Sequence, residues 1–197
     1  NMLTRNNVPI DLYSGLAQEG KVRRFASDKN NYIEPFFNLI RFKYGRKVIC
    51  GAAKQFFQDN ELVDRNINYY PPVPLNKMSE LYSTYGVSLS STTARNTGVL
   101  KRPLGIVNLR SFEIPMSGGF QLCHYNSELA TYFKDGEEIV FYENDDDLVE
   151  KCKFYLSEEN RSLRLKIKNN ARLRAEREHT WWVRFECVFK ALGLPTK

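Results

Sequence analysis

The 197-residue chain is 42% hydrophobic and 13% aromatic, enough apolar material to bury a core, which excludes a disordered or fibrous protein and sets one domain, or one lobe of a larger protein, as the expectation. No run of eighteen apolar residues occurs and the amino terminus carries no charged-then-apolar leader, so the reading is a soluble, cytoplasmic chain that neither spans a membrane nor is secreted. The formal net charge of +6 raises nucleic-acid binding as a class, but much of it lies in RSLRLKIKNNARLRAERE, where basic residues alternate with Leu163, Leu165, Ile167 and Leu173 as on a solvated helix face, and no nucleic acid is expected as a partner.

Asn1 before Met2 is an unusual start and is read as the mark of a chain cut from something longer. In residues 1–65, NVPIDLYS and RKVICGAA read as strands with FFNLIRFKY as an amphipathic helix between them, the start of the same α/β domain. Residues 66–197 are expected to form a Rossmann-like domain with carboxy-terminal helices, to which the resemblance given below adds nucleotide-sugar binding. INYYPPVPL ends an extended piece in a proline-rich loop; LNKMSELYSTYG is a helix with Leu75, Met78, Leu81 and Tyr82 on one side, closed by Gly86; VSLS is a buried strand. SSTTARNTGVLKRPLG has no periodicity and reads as a long loop, a common seat of function.

A helix from about Asn108 to Met116 follows, then the strand FQLCHY and a helix opened by Ser127 as its cap. KDGEE is a turn, EIVFYE a strand, and DDDLVEKCKFYLS a helix with an acidic start and an apolar stripe of Leu148, Val149, Cys152, Tyr155 and Leu156. Helices over roughly 158–178 and 180–192 complete the chain, with His179, Trp181 and Trp182 as packing or capping residues. Cys50, Cys123, Cys152 and Cys187 lie far apart in apolar segments without metal-ligand spacing, so buried reduced thiols are expected. Alternating strands and helices imply right-handed crossovers and a doubly wound parallel sheet flanked by helices, whose ligands bind beyond the carboxyl ends of its strands.

On that edge, Glu113 is placed one turn into a helix entered from a glycine-containing loop. Backbone N–H groups of Gly105, Ile106, Val107 and Asn108 are suited to a diphosphate, and a carboxylate one turn further on is suited to vicinal ribose hydroxyls; complementing the helix dipole is the equally simple alternative for Glu113. Arg110 steadies Glu113 or reaches a phosphate, Lys101 and Arg102 are weaker phosphate candidates, and His124 and Tyr125 lie at a strand end facing the same side, where a structural role for His124 is weighed above a contact to a transferred sugar or phosphate. Gly118 and Gly119 end the helix and let it pack closely on the next strand. No catalytic triad, phosphate-binding loop or zinc motif is present, and no catalytic residue is assigned.

LRSFEIPMSGGFQLCHYNSELATYFKDGEEIVFYENDDDLVEKCKFYL, followed by EHTWWVR, resembles the carboxy-terminal half of GT-B glycosyltransferases related to glycosyl transferases group 1, most closely the CgeB-like, spore maturation type. Shared features are an Arg, a Phe-Glu pair, Gly-Gly, an apolar strand, a Glu-Leu helix, a Gly-Glu turn, an acidic helix and a late His-Thr, from about Tyr69 to Val188. The resemblance implies a donor lobe of a hexosyltransferase-like enzyme that moves a sugar from a nucleoside diphosphate sugar to an acceptor, with no cofactor and no metal required by the protein. It assigns the ribose contact to Glu113. The second glutamate of many retaining members falls at Gly105, which leaves the sugar contact and the stereochemistry open and favours, as the alternative, a non-catalytic nucleotide-binding or regulatory module. It further implies an amino-terminal acceptor-binding domain missing from this chain, peripheral membrane association of the full-length protein, and a place in bacterial surface polysaccharide, lipopolysaccharide or spore-coat glycosylation. Alone, the chain is expected to bind donor nucleotide and to transfer sugar poorly or not at all.

Overall fold

A computed structural model describes residues 2–13, 41–57, 67–94, 97 and 100–194. The chain divides into two compact units, one of residues 1–73 and 93–106, the other of residues 74–92 and 107–197.

In the first unit, helix α1 (Met2–Arg5) ends where Asn7 takes a left-handed conformation, φ 60°, and the Val8 amide turns back to the Leu3 carbonyl at 3.0 Å. Strand β1 (Ile10–Tyr13) pairs in parallel with β2 (Ile67–Tyr70), Ile10 opposite Ile67 and Tyr13 opposite Tyr70, whose rings stack at 4.9 Å. Between them in sequence comes helix α2 (Lys43–Phe57). RKVICGAA, expected as a strand, lies wholly inside α2. Val48 and Ile49 favour a strand locally, but Ala52, Ala53 and Lys54 are strong helix formers, and two parallel strands need a crossover helix. The expected helix over FFNLIRFKY falls mostly outside the described residues.

The second unit opens with a short 3₁₀ turn and helix α3 (Met78–Thr84), followed by β3 (Ser88–Ser90), α4 (Arg110–Met116), β4 (Gln121–His124), α5 (Leu129–Tyr132), β5 (Val140–Tyr142), α6 (Asp145–Leu156), α7 (Arg161–Glu178) and α8 (Trp181–Ala191). Its sheet is parallel throughout, in the order β3-β4-β5, with Ser90 opposite Cys123 and Cys123 opposite Phe141. The protein is therefore an α/β chain of parallel sheets flanked by helices, with a Rossmann-like pattern.

The central strand β4 carries the core: Gln121, Leu122 and Cys123 are all buried, with Ile114, Phe120, Leu129, Phe133, Ile139 and Phe141 around them. Leu89 on β3 is 45% exposed, so the expectation of a buried strand fails there; among the described residues β3 is an edge strand of this sheet. Helix α7 turns Ile167, Ala171 and Ala175, spaced four apart, inward; the two alanines let it lie close to α4. Its cations are engaged locally: Arg172 with Glu176 at 2.7 Å, Arg174 with Glu178 at 2.9 Å, Lys168 on the Ser83 carbonyl at 2.8 Å, and Arg164 on the Tyr155 carbonyl at the end of α6.

Three further expectations are corrected. The cap of α5 is Asn126, not Ser127: the buried Asn126 side chain accepts hydrogen bonds from the amides of Glu128 and Leu129, both at 3.0 Å, which places its oxygen inside the turn. Cys123 and Cys152 are buried, but Cys50 and Cys187 are exposed, because each sits on the outward side of its helix. Trp181 and Trp182 are 62% and 71% exposed, Trp181 stacking only on Phe185 of its own helix at 5.8 Å, and the member of that trio that packs against the core is His179. Its ring lies 4.9 Å from Phe133 and 5.2 Å from Phe112, Nε2 donates to the Tyr132 carbonyl at 3.2 Å, and Arg184 stacks over Phe112 at 4.1 Å.

Gly118 and Gly119 hold α4 where it is. Gly118 has φ +69°, the left-handed exit of a helix, and a Cβ on Gly119 would lie 2.8 Å from Ile114 Cγ2 and 3.0 Å from the Tyr82 carbonyl oxygen. Gly119→Ala is expected to lower the unfolding free energy by about 1–3 kcal/mol in urea titrations, the usual range for overpacking a dense interior, whereas Trp181→Ala should stay within about 0.5 kcal/mol. Burial, helped by Arg184 and Arg174 and opposed by the Tyr132 carbonyl and Glu178, holds His179 below its ordinary pKa of 6.5. The unfolded chain then binds the extra proton first, so the stability that neutral His179 supplies is present above pH 6.5 and lost as the pH falls through the lower folded value. His179→Phe should flatten that part of the stability-against-pH curve measured by urea unfolding.

Candidate functional site

The carboxyl edge of the three-stranded sheet is stitched by side chains that leave the strand ends. Asn108, just before α4, donates from Nδ2 to the Ser91 carbonyl at 2.8 Å, and its Oδ1 accepts from the Ser111 amide at 3.2 Å. Asn108 thus both caps the start of α4 and ties that start to the residue following β3. The buried Thr92 donates its hydroxyl to the His124 carbonyl at 2.9 Å, joining the ends of β3 and β4. The His124 ring lies between two carbonyl oxygens, Nδ1 at 3.1 Å from that of Tyr125 and Nε2 at 3.1 Å from that of Glu143. With each ring nitrogen at a backbone carbonyl, His124 is occupied in bracing this edge. Tyr125 is half exposed and packs edge-on to Phe141 at 5.4 Å.

From Asn108, α4 runs back toward Phe120, whose carbonyl receives the Ser88 amide at the start of β3 at 2.8 Å. Arg110 and Glu113 are both exposed on α4, and their charges act on Tyr82 of α3. The Tyr82 hydroxyl is buried without a hydrogen-bond partner. Burial raises its pKa, Glu113 adds to that rise, and the neighbouring Arg110 guanidinium opposes it. Among the described residues the Glu113 carboxylate forms no ion pair or hydrogen bond, so it is neither turned into the core nor neutralised by Arg110. Tyr82 was visible in the sequence only as part of an apolar stripe; its polar end has no sequence signal. Asn126 was missed because Ser127, one residue later, is an equally ordinary cap.

The other sequence-derived candidates are distributed differently. Val107 is partly buried against Cys123, Leu129, Phe133, Ile139, Phe141 and Ala175, so only its backbone can face a ligand. Gly105, Ile106 and Arg102 belong to the first unit, where Gly105 bridges Thr93 in an antiparallel pair and Arg102 lies beside Lys101 at an open depression. Thiol chemistry has no support in the second unit's interior: burial pushes Cys123 up to about 12 and Cys152 up to about 11, which keeps both protonated. Among the described residues no group of three or more His, Cys, Asp or Glu is placed to hold a metal ion, and no helix is long and apolar enough to cross a membrane.

Tyr82→Phe removes a buried hydroxyl that has no partner, and it is expected to leave stability unchanged or raise it by up to about 1 kcal/mol in urea unfolding; a loss of more than about 1 kcal/mol would show that the hydroxyl is bonded in solution.

Comparison with known proteins finds no match among curated proteins and none among solved structures. A family model described as glycosyl transferase-like matches residues 29–189, more than half of the chain and all of the edge just described. The chain belongs to the glycosyl transferase-like family.

Proposed function

We propose that the second unit is the donor-binding part of a GT-B enzyme of the CgeB-like type, and that it holds the nucleoside diphosphate of a sugar donor at the carboxyl edge of β3 and β4. The observation that carries this reading is the state of Glu113: an exposed carboxylate without an ion pair among the described residues, one turn into a helix whose start Asn108 fixes to the strand end. A carboxylate accepts hydrogen bonds only, and vicinal ribose hydroxyls supply two donors at the spacing of its two oxygens. Arg110, in the preceding turn, offers a forked cation for a phosphate. No metal bound by the protein is invoked; positioning and charge stabilisation of the leaving diphosphate supply the catalysis. His124 serves as a brace for the edge and Tyr125 as an exposed ring against the bound donor.

The second reading, a nucleotide-binding module without transfer, is favoured by Gly105 standing where many retaining enzymes carry a glutamate, and by its engagement with Thr93. Both readings require nucleotide binding. Calorimetric titration with UDP, GDP and ADP should show saturable binding of at least one, and Glu113→Ala should weaken it by about 10- to 100-fold, the loss of charge-assisted hydrogen bonds. No saturable binding by the wild type, or an unchanged affinity in Glu113→Ala, removes the proposal. Donor hydrolysis or transfer, assayed with the tightest-binding base, then separates transferase from module.

A further inference from the structure

Helix α8 has a defined start and a defined stop, yet it buries nothing. The Thr180 hydroxyl caps its start, accepting from the Val183 amide at 3.3 Å. Its exit turns through Gly193 at φ 68°, with the Leu194 amide on the Phe189 carbonyl at 2.9 Å. Eleven residues make a helix of marginal stability in water, and the packing of an apolar face normally supplies the rest. Arg184 links α8 to the second unit, over the rings of Phe112 at 4.1 Å and Tyr132 at 5.9 Å. None of the residues of α8 is buried.

Trp181, Phe185, Val188, Phe189 and Leu192 recur at the spacing of a single helix face, with Trp182 at its margin, and all six are exposed. Trp181, Phe185 and Phe189, four residues apart, form one row of near-parallel rings at 5.8 and 6.2 Å. Val188 and Leu192 form a lower row beside it. Rows of this spacing on two helices interdigitate in the commonest helix crossing, so the face fits itself: the aromatic ridge of each copy rests on the aliphatic row of the other about a two-fold axis. A whole aromatic side chain covers about 150–250 Å², so the four rings, 41–71% exposed, leave roughly 350–550 Å² in water. Val188 and Leu192 bring the face toward the about 800 Å² per partner of a stable interface. A lipid surface calls instead for free cations along the polar side of the helix. Helix α8 carries two cations, Arg184 held over Phe112 and Lys190 paired with Glu186 at 3.0 Å. We infer that this face of α8 is the contact of a two-fold dimer, its occupant the same face of a second copy of this chain.

The chain has two tryptophans and both lie on this face, so their emission reports it alone. Sedimentation velocity of the 197-residue chain between about 1 and 100 µM is expected to show a mass rising toward twice 23.0 kDa, with the tryptophan emission moving to the blue in step. Phe185→Glu, at the centre of the face, should weaken association by about tenfold or more. Trp181→Ala should weaken it too, while leaving the urea midpoint of dilute, monomeric protein in place. A chain that stays monomeric throughout, or a dimer that both variants leave intact, would overturn the inference. So would a monomer that cosediments with phosphatidylcholine vesicles and loses that binding in both variants, which assigns the face to lipid.

Discussion

The close approach at Gly119 decides where the chemistry of the second unit sits. A side chain there would press against Ile114 and the Tyr82 backbone, and only its absence lets α4 fold back tightly from β4 beneath α3. Tight packing at the far end of α4 and the Asn108–Ser91 hydrogen bond at its start fix a seven-residue helix at both ends. So short a helix has little stability of its own, and its position comes from these two anchors and from the alanine stripe of α7. Arg110 and Glu113 are carried by a segment with almost no freedom to shift, which is what a group that must meet a ribose needs.

Electrostatics at this edge follow from burial. Tyr82 keeps its buried hydroxyl near Arg110 and Glu113, whose effects on it oppose each other, and burial favours its neutral form. Glu113 and Arg110 are both exposed on α4, and that leaves the carboxylate open to a hydrogen-bond donor. His124, for which the sequence favours a structural role over a contact to sugar or phosphate, is held between carbonyls. The edge therefore presents one acidic acceptor and one cation on an anchored helix, an arrangement for gripping a polar ligand.

Much of this was legible in the sequence, and the exceptions have physical causes. Helices with strong periodicity or a capping residue, such as α6 behind Asn144, are visible because the apolar stripe and the cap are local. Gly118 and Gly119 announced a helix end and a close contact, and the contact is there. RKVICGAA was misleading because two β-branched residues in a row outweigh, by eye, the helix formers that follow; only the parallel pairing of β1 with β2 demands a crossover at that place. The exposure of Trp181, Trp182 and Cys187 was unreadable for the opposite reason: α8 has an apolar pattern, but it contributes no buried residue. At the site, Glu113 and Arg110 are local signals, whereas Tyr82 enters through tertiary packing.

A glycosyl transferase-like chain with its acceptor oxygens exposed on α4 is expected to read the sugar of its nucleotide as well as the phosphates. The most direct measurement is the affinity of the wild-type protein for UDP against 2′-deoxy-UDP, with the same pair repeated in Glu113→Gln. A carboxylate that accepts both vicinal hydroxyls predicts a preference for the ribonucleotide of about tenfold or more, the worth of one charge-assisted hydrogen bond, and its loss in the variant. Equal affinity for the two nucleotides in the wild type would contradict a ribose grip by Glu113.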